Sequence, residues 1–241
     1  MTSSCTSNGS GPCERYPVVA ELVGITAQYR HGSVAELHGL DMPVDGERNE
    51  LWVMRPTTAA VAMGSAQRSE QFDHDQLTHD NVELAARRSG GGAVLVDPAS
   101  TVWVDVLAPR SSPWWSSELA ENFLIVGRVW QQALASLGVE TDICTHAPEN
   151  TDVARHACWA GLGWGELTVG DAKVVGLSQR RTRWGARVQA MGVVDRSSAT
   201  VARYLAPEVR DDVKAAVAGH EMGISVAELE AAVVRAFQTP I

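Results

Sequence analysis

A chain of 241 residues, 45% of them apolar, can bury a core without covalent staples, which excludes a disulfide-built miniprotein. A formal net charge of −9 leaves no basic face to dominate the surface field, which argues against nucleic acid as a partner. No run of about 18 apolar residues occurs, so no segment reads as a membrane span.

The first residues, MTSSCTSNGSGPCER (1–15), are rich in Ser and Gly with no basic start and no apolar run. They read as a disordered tail, not a signal peptide or anchor, and leave residues 16–241 as one domain. VVAELVGITAQY (18–29) is apolar enough for a helix or a strand, and both stay open. SVAELHGL (33–40) has Ser33 and Glu36 at capping-box spacing and predicts a short helix. ELWVMRP (50–56) and TAAVAMG (58–64), bounded by Pro and Gly, predict strands. FDHDQLTHDN (72–81) predicts a short surface helix anchored by Leu77. Three further strands follow in VELAARR (82–88), GAVLVD (92–97) and TVWVDVLA (101–108).

Between Trp115 and Leu137 apolar residues recur at three- and four-residue steps (Leu119, Phe123, Val126, Val129, Ala133), the pattern of an amphipathic helix. A loop, THAPENTD (145–152), precedes WGELTVG (164–170), AKVVGLS (172–178) and ARVQAMGVV (186–194). These predict consecutive antiparallel strands, with Gly170-Asp171 as one turn. Helices close the chain, the last opening on a second capping box, Ser225 and Glu228. Hairpins in series with helices in blocks point to an α+β fold with a mixed or antiparallel sheet.

Four cysteines, Cys5, Cys13, Cys144 and Cys158, form no CxxC pair, and the histidines lack zinc-ligand spacing. Reduced thiols, a cytoplasmic location and no metal are expected. ARRSGGGAVLVD (86–97) sets three glycines between basic residues and a strand. Such a loop either cradles an anionic or carbonyl oxygen with its N–H groups or is an empty turn. GLGWGE (161–166) is not a dinucleotide fingerprint, because its third glycine is misplaced and a strand follows. The serines around Pro113-Trp114-Trp115 form no nucleophile elbow, and the eight tryptophans serve packing in the absence of interleaved basic residues.

Cys158 reads either as a nucleophile or as a small buried hydrophobe. On a strand His156 would share its face and could serve as its base. Lys173, inside an apolar strand, must snorkel, pair or face a polar cavity.

RRSGGGAVLVD resembles the Arg-Arg-x-Ser-Gly-Gly-Gly-x-Val-x-His-Asp signature of the lipoate–protein ligase and octanoyltransferase superfamily. DAKVVGLSQRR resembles its Lys-x-x-Gly-x-[Ala/Ser]-Gln strand, and LWVMRPTTAAVAMGSAQ is similar to its paired strands ending in Gly-x-x-Gln. The likeness runs in order over about residues 33–237. It implies the class II aminoacyl-tRNA synthetase and biotin synthetase type of α+β fold, a central and mostly antiparallel sheet with flanking helices. It also implies that Arg87, Ser89, Gly90, Gly91, Gly92, Asp97, Gly176, Ser178 and Gln179 bind the acyl substrate, with Lys173 at the acyl carbonyl. Two positions depart from the signature: Ala86 replaces its first Arg, and Val96 replaces its His.

Within the superfamily, ATP-dependent ligases carry Gly-Arg-Asn-Asp before the lysine strand and often a C-terminal accessory domain. Here GWGEL occupies that stretch, with Glu166 for the Asp, and the chain ends before a full accessory domain. Cysteine transferases instead hold Ala-Cys-aromatic fifteen residues before the lysine, as in ACWAGLGWGELTVGDAK, and SQRR resembles the amidotransferase variant. The resemblance therefore implies octanoyl or lipoyl transfer through an acyl-Cys158 intermediate. The donor would be acyl carrier protein or the glycine-cleavage H protein, the acceptor a lysine of an apo lipoyl domain. No cofactor is expected. An ATP- and Mg-using lipoate ligase and a non-catalytic lipoyl-protein-binding paralogue are the alternatives.

Overall fold

The computed structural model describes residues 24–42, 48–148, 151–195, 200–217 and 219–239. The expected tail, 1–15, and the first part of 18–29 lie outside these residues. Ten strands occur among them, in chain order β1 (Ala27–Gly32), β2 (Glu50–Pro56), β3 (Ala60–Met63), β4 (Glu83–Ala86), β5 (Val94–Val96), β6 (Thr101–Pro109), β7 (Asp142–Ile143), β8 (Leu167–Val169), β9 (Ala172–Arg181) and β10 (Gly185–Val193). The helices are α1 (Val34–Gly39), α2 (His74–His79), α3 (Leu119–Ala135), α4 (Asp152–His156), α5 (Pro207–Ala216) and α6 (Val226–Gln238).

Seven strands form one sheet in the order β1-β2-β6-β10-β9-β8-β7, and β4-β3-β5 form a second. Pairing is antiparallel except between β1 and β2 and between β3 and β4. The expected mixed, mostly antiparallel α+β architecture is what forms, and β8, β9 and β10 are neighbours as the hairpin pattern predicts.

Period-two alternation divides the large sheet into two faces. Leu51 and Val53 of β2, Val102, Val104 and Val106 of β6 and Ala186 and Val188 of β10 pack against α3 and α6 through Trp130, Leu134, Leu229 and Phe237. The intervening residues Trp52, Met54, Trp103, Leu107, Met191 and Val193 face the other way, toward α1 and the small sheet. The small sheet's far side buries Val61 and Leu95 against Phe72, Leu77, Tyr204 and Val213. Cys158 is packed in the layer between the two sheets, and His38, Arg87, Gly176, Ser178 and Gln189 share one cleft with it.

Both predicted capping boxes form. Ser33 Oγ accepts from Glu36 N at 3.2 Å while Glu36 Oε2 accepts from Ser33 N at 2.8 Å, and Ser225 and Glu228 repeat the arrangement. The first box fixes the start of α1, a helix of only six residues that carries His38 into the interlayer space. The helix expected from Trp115 begins at Leu119, because Asn122 Oδ1 accepts from Ser116 N and holds the preceding turn. No helix among the described residues is long and apolar enough to cross a membrane.

Candidate active site

The glycine loop and the cysteine are built as one piece. Arg87 leaves β4 with its N–H bonded to Met63 O at 3.0 Å, and its buried guanidinium turns back to donate from Nη2 to Gly92 O at 2.9 Å. Gly91 has φ +96°, and a Cβ there would lie 2.8 Å from that same Nη2. Gly92 is needed for a different reason: its Cβ would fall 2.5 Å from Ala157 N and 2.7 Å from Ala154 O. Only a bare backbone lets α4 and the turn after it lie on the loop.

Across that contact Ala93 N donates to His156 O at 2.9 Å and Cys158 N donates to Ala93 O at 2.9 Å. Gln67 ties the same place to β3, accepting from Gly64 N at 2.9 Å and donating to His156 O at 3.2 Å. Replacing Gly92 by Ala should push the Cys158 turn off the loop. A displacement of about 1 Å in a reacting group costs about 10²-fold in rate. For a reaction at the Cys158 thiol we expect a loss of that order with the far-ultraviolet circular dichroism unchanged; an unaffected rate would show that the close approach has no bearing on the chemistry.

His156 does not share a strand face with Cys158. Thr151 Oγ1 caps α4 by accepting from Ala154 N at 3.1 Å, so His156 ends a helix and Cys158 opens a single 3-10 turn, Cys158–Ala160. What His156 contributes to the site is its backbone carbonyl.

Lys173 meets its burial by pairing. Its Nζ donates to Cys158 O at 2.9 Å and to Gly161 O at 2.8 Å, and lies 2.7 Å from Glu166 Oε2, with both side chains buried. The ammonium's three protons thus have three acceptors. Glu166 is completed by Gly163 N on Oε2 at 2.8 Å and Leu177 N on Oε1 at 3.0 Å. Lys173 therefore grips the Cys158 segment by its backbone carbonyls. At Gly176 a Cβ would sit 3.3 Å from Lys173 Cε, so the glycine leaves room for the lysine stem.

Cys158, partly exposed, opens on a narrow cleft between the sheets that is also lined by Arg87, Gly176 and Ser178, with Val94, Trp103, Trp159 and Met191 as apolar walls. A larger open groove beside α2, around Leu77, Asn81 and Glu83, contains none of these residues. Ser89 joins the cleft by donating to Gln189 Oε1 at 3.2 Å, and Ser178 Oγ reaches the same oxygen at 3.5 Å. Gly90 sits at the loop's open side, where a Cβ would meet nothing within 4 Å. Val96, at the signature's His position, is fully buried in the interlayer core.

Of the substrate-binding residues implied by the resemblance, Arg87, Gly176 and Ser178 line the cleft, whereas Asp97 and Gln179 are turned elsewhere. Asp97 shapes the turn into β6, its Oδ1 accepting from Ala99 N at 2.9 Å and its carbonyl from Thr101 N at 2.9 Å. Gln179 pairs with Val188 and so lies on the helix-covered face, one residue out of phase with Ser178.

Sequence reasoning missed the polar network under the cleft. Asp105 is fully buried, accepts from Trp103 Nε1 and from Arg187 Nε, each at 2.6 Å, and lies 3.4 Å from Gln189 Nε2. Arg187 also donates to Leu40 O and Leu37 O, which anchors the end of α1. Gln189 Nε2 reaches His38 Nδ1 at 3.3 Å. His38 stacks on Trp103 with ring centroids 4.4 Å apart. Burial, then the Arg87 and Arg187 guanidiniums, push its pKa down to about 3, so the ring is neutral. Asp105 and Arg187 each interrupt an apolar strand, which is the one signal that pointed to their pairing.

Residues 40–238 match the Lipoyl protein ligase A/B catalytic domain. The chain belongs to that family. Octanoyltransferase LipM of Carboxydothermus hydrogenoformans is 29% identical over 127 residues, covering 53% of this chain and 45% of the relative. The chain thus matches about half the length of that relative. Among solved structures, Ta0514 of T. acidophilum with bound lipoic acid superposes with a TM-score of 0.67 at 18% identity, covering 90% of this chain and 84% of that one. A second Thermoplasma acidophilum structure, described as a bi-partite lipoate protein ligase with its E2 lipoyl domain, gives 0.64 at 18% identity over 90% of this chain and 82% of that one. These likenesses show that the lipoyl protein ligase fold is the one adopted here.

Proposed function

We propose that this member of the lipoyl protein ligase A/B family moves an octanoyl or lipoyl group from a thioester donor to a lysine of an apo lipoyl domain through acyl-Cys158. The observation that carries this reading is a partly exposed Cys158 lining an apolar cleft, its backbone held by Ala93 after the glycine loop on one side and by Lys173 on the other. The Cys158 sulfur attacks the thioester carbon, and the donor thiolate leaves and takes a proton. The acceptor amine then attacks the acyl-cysteine, the amide C–N bond forms, the C–S bond breaks, and the amine's proton passes to the departing sulfur.

Thioester exchange is close to balanced and amide formation runs downhill, so the reading requires no ATP. The LipM relative supports the transferase chemistry, and the E2 lipoyl domain of the Thermoplasma system supports the acceptor class. Acyl carrier protein or the glycine-cleavage H protein is the proposed donor. The free thiols of Cys144 and Cys158 suit a reducing, cytoplasmic setting.

The test is an intact mass after incubation with octanoyl-acyl carrier protein in the absence of ATP. One octanoyl adduct, mapped to Cys158 and discharged by an apo lipoyl domain, is the expected result. A strict requirement for ATP, with lipoyl-adenylate as product, would replace the transferase with a ligase.

A further inference from the structure

The orientation of one amide decides which proton His38 carries. Gln189 Oε1 receives the Ser89 and Ser178 hydroxyls, and Gln189 Nε2 faces the Asp105 carboxylate, so the amide nitrogen is the atom presented to His38 Nδ1. Nδ1 therefore accepts, and a neutral ring must carry its proton on Nε2. That Nε2 is buried and has no hydrogen-bond partner in the protein, in a residue only 6% exposed that borders the cleft. Arg87, another cleft residue, has its Nε buried and without a partner as well. Two buried donors, each on a residue that lines the cleft, forgo a hydrogen bond unless a ligand supplies the missing oxygen. The walls Val94, Trp103, Trp159 and Met191 suit an alkyl chain, and a saturated acyl group offers one strong acceptor, its carbonyl oxygen.

We propose that His38, through Nε2–H and beside Arg87 Nε–H, donates a hydrogen bond to the carbonyl oxygen of the acyl group under attack at Cys158. The proposal rests on the acyl-transfer reading. As the Cys158 sulfur bonds to the carbonyl carbon, the π pair moves onto oxygen, and the two N–H groups meet the developing charge. Collapse returns the pair and expels the thiolate. His38 keeps its proton throughout, which a neutral imidazole held by Gln189 is suited to do. Lys173, with its three protons already engaged, anchors the segment that carries the nucleophile.

The first measurement needs no variant to react. In ¹⁵N-histidine-labelled protein, the His38 signal is expected to report a neutral Nε2–H tautomer at pH 7, and titration with N-methyloctanamide should shift it. An Nδ1–H tautomer, a doubly protonated ring, or a His38 signal unmoved up to the amide's solubility limit would overturn the proposal. The second compares acyl-Cys158 formation from an octanoyl thioester. His38→Phe, which keeps a ring against Trp103, should slow it about 10²- to 10³-fold, the usual cost of one oxyanion donor. His38→Gln, which restores an N–H near the Nε2 position, should recover most of that loss. A folded His38→Phe protein within about threefold of wild type would overturn the assignment. If the wild type forms no acyl-enzyme, the transferase reading falls, and the N-methyloctanamide titration still decides for or against the carbonyl contact.

Discussion

Cys158→Ser is expected to abolish the octanoyl adduct and reduce transfer on the order of 10⁴-fold or more, the scale seen when an enzyme loses its nucleophile. The fold should be unaffected, since the residue is partly exposed and its anchoring bonds come from its backbone N–H and carbonyl. Cys144 does not compete: it is buried, and burial pushes its thiol up. Peptide mapping of the acylated wild type separates Cys158 from the other cysteines. Transfer at near wild-type rate by the serine variant would remove the covalent intermediate from the mechanism.

Lys173→Met should fail in two ways at once. The substitution keeps the stem but leaves the Glu166 carboxylate buried without its cation, and breaking a buried pair from one side costs about 3–5 kcal/mol. It also releases the carbonyls of Cys158 and Gly161, so the Cys158 segment loses its tether and the proposed acylation should fall about 10²-fold. Adding Glu166→Gln removes the orphaned charge and should return most of the stability in urea unfolding while leaving acylation slow. If Lys173→Met alone matched the wild type in both midpoint and rate, the pair would be dispensable and the clamp would lie elsewhere.

Local signals in the sequence translated well. Ser33–Glu36 and Ser225–Glu228 are complete within four residues, and both became capping boxes. The three strands after Gly163 have tight connections, so their antiparallel order was readable from spacing. The motifs put the glycine loop, Cys158, Asp97 and Gln179 at one site, whereas in the structure Asp97 shapes a turn and Gln179 lies on the helix-covered face. Which of Ser178 and Gln179 meets the cleft depends on the pairing of β9 with β10, which a one-residue change of register would reverse. The conditional strand reading of His156 does not apply, because Thr151 caps a helix that ends at His156.

The network of His38, Asp105, Arg187 and Gln189 was out of reach for a related reason. Its members span positions 38 to 189 and meet only when α1, β6 and β10 are assembled. Nothing local to SVAELHGL distinguishes His38 from a histidine on the wet side of a short helix. The parallel pairing of β1 with β2 was equally invisible, because it depends on α1 and the connection after it, not on the strands' own composition.

The two-faced construction of β9 and β10 bears on how such a protein diversifies. Ser178, Gln189 and Met191 look into the cleft, whereas Val174 and Val188, on the same strands, serve the helix-covered core. Mutational drift at the first set can reshape the cleft with little change in the packing that holds the sheet to α3 and α6. Selection on what the cleft holds and selection on foldedness thus act on largely separate codons, interleaved along the same two segments. A single-codon deletion within either strand would be far harsher than any one substitution, because it would exchange the two sets at a stroke.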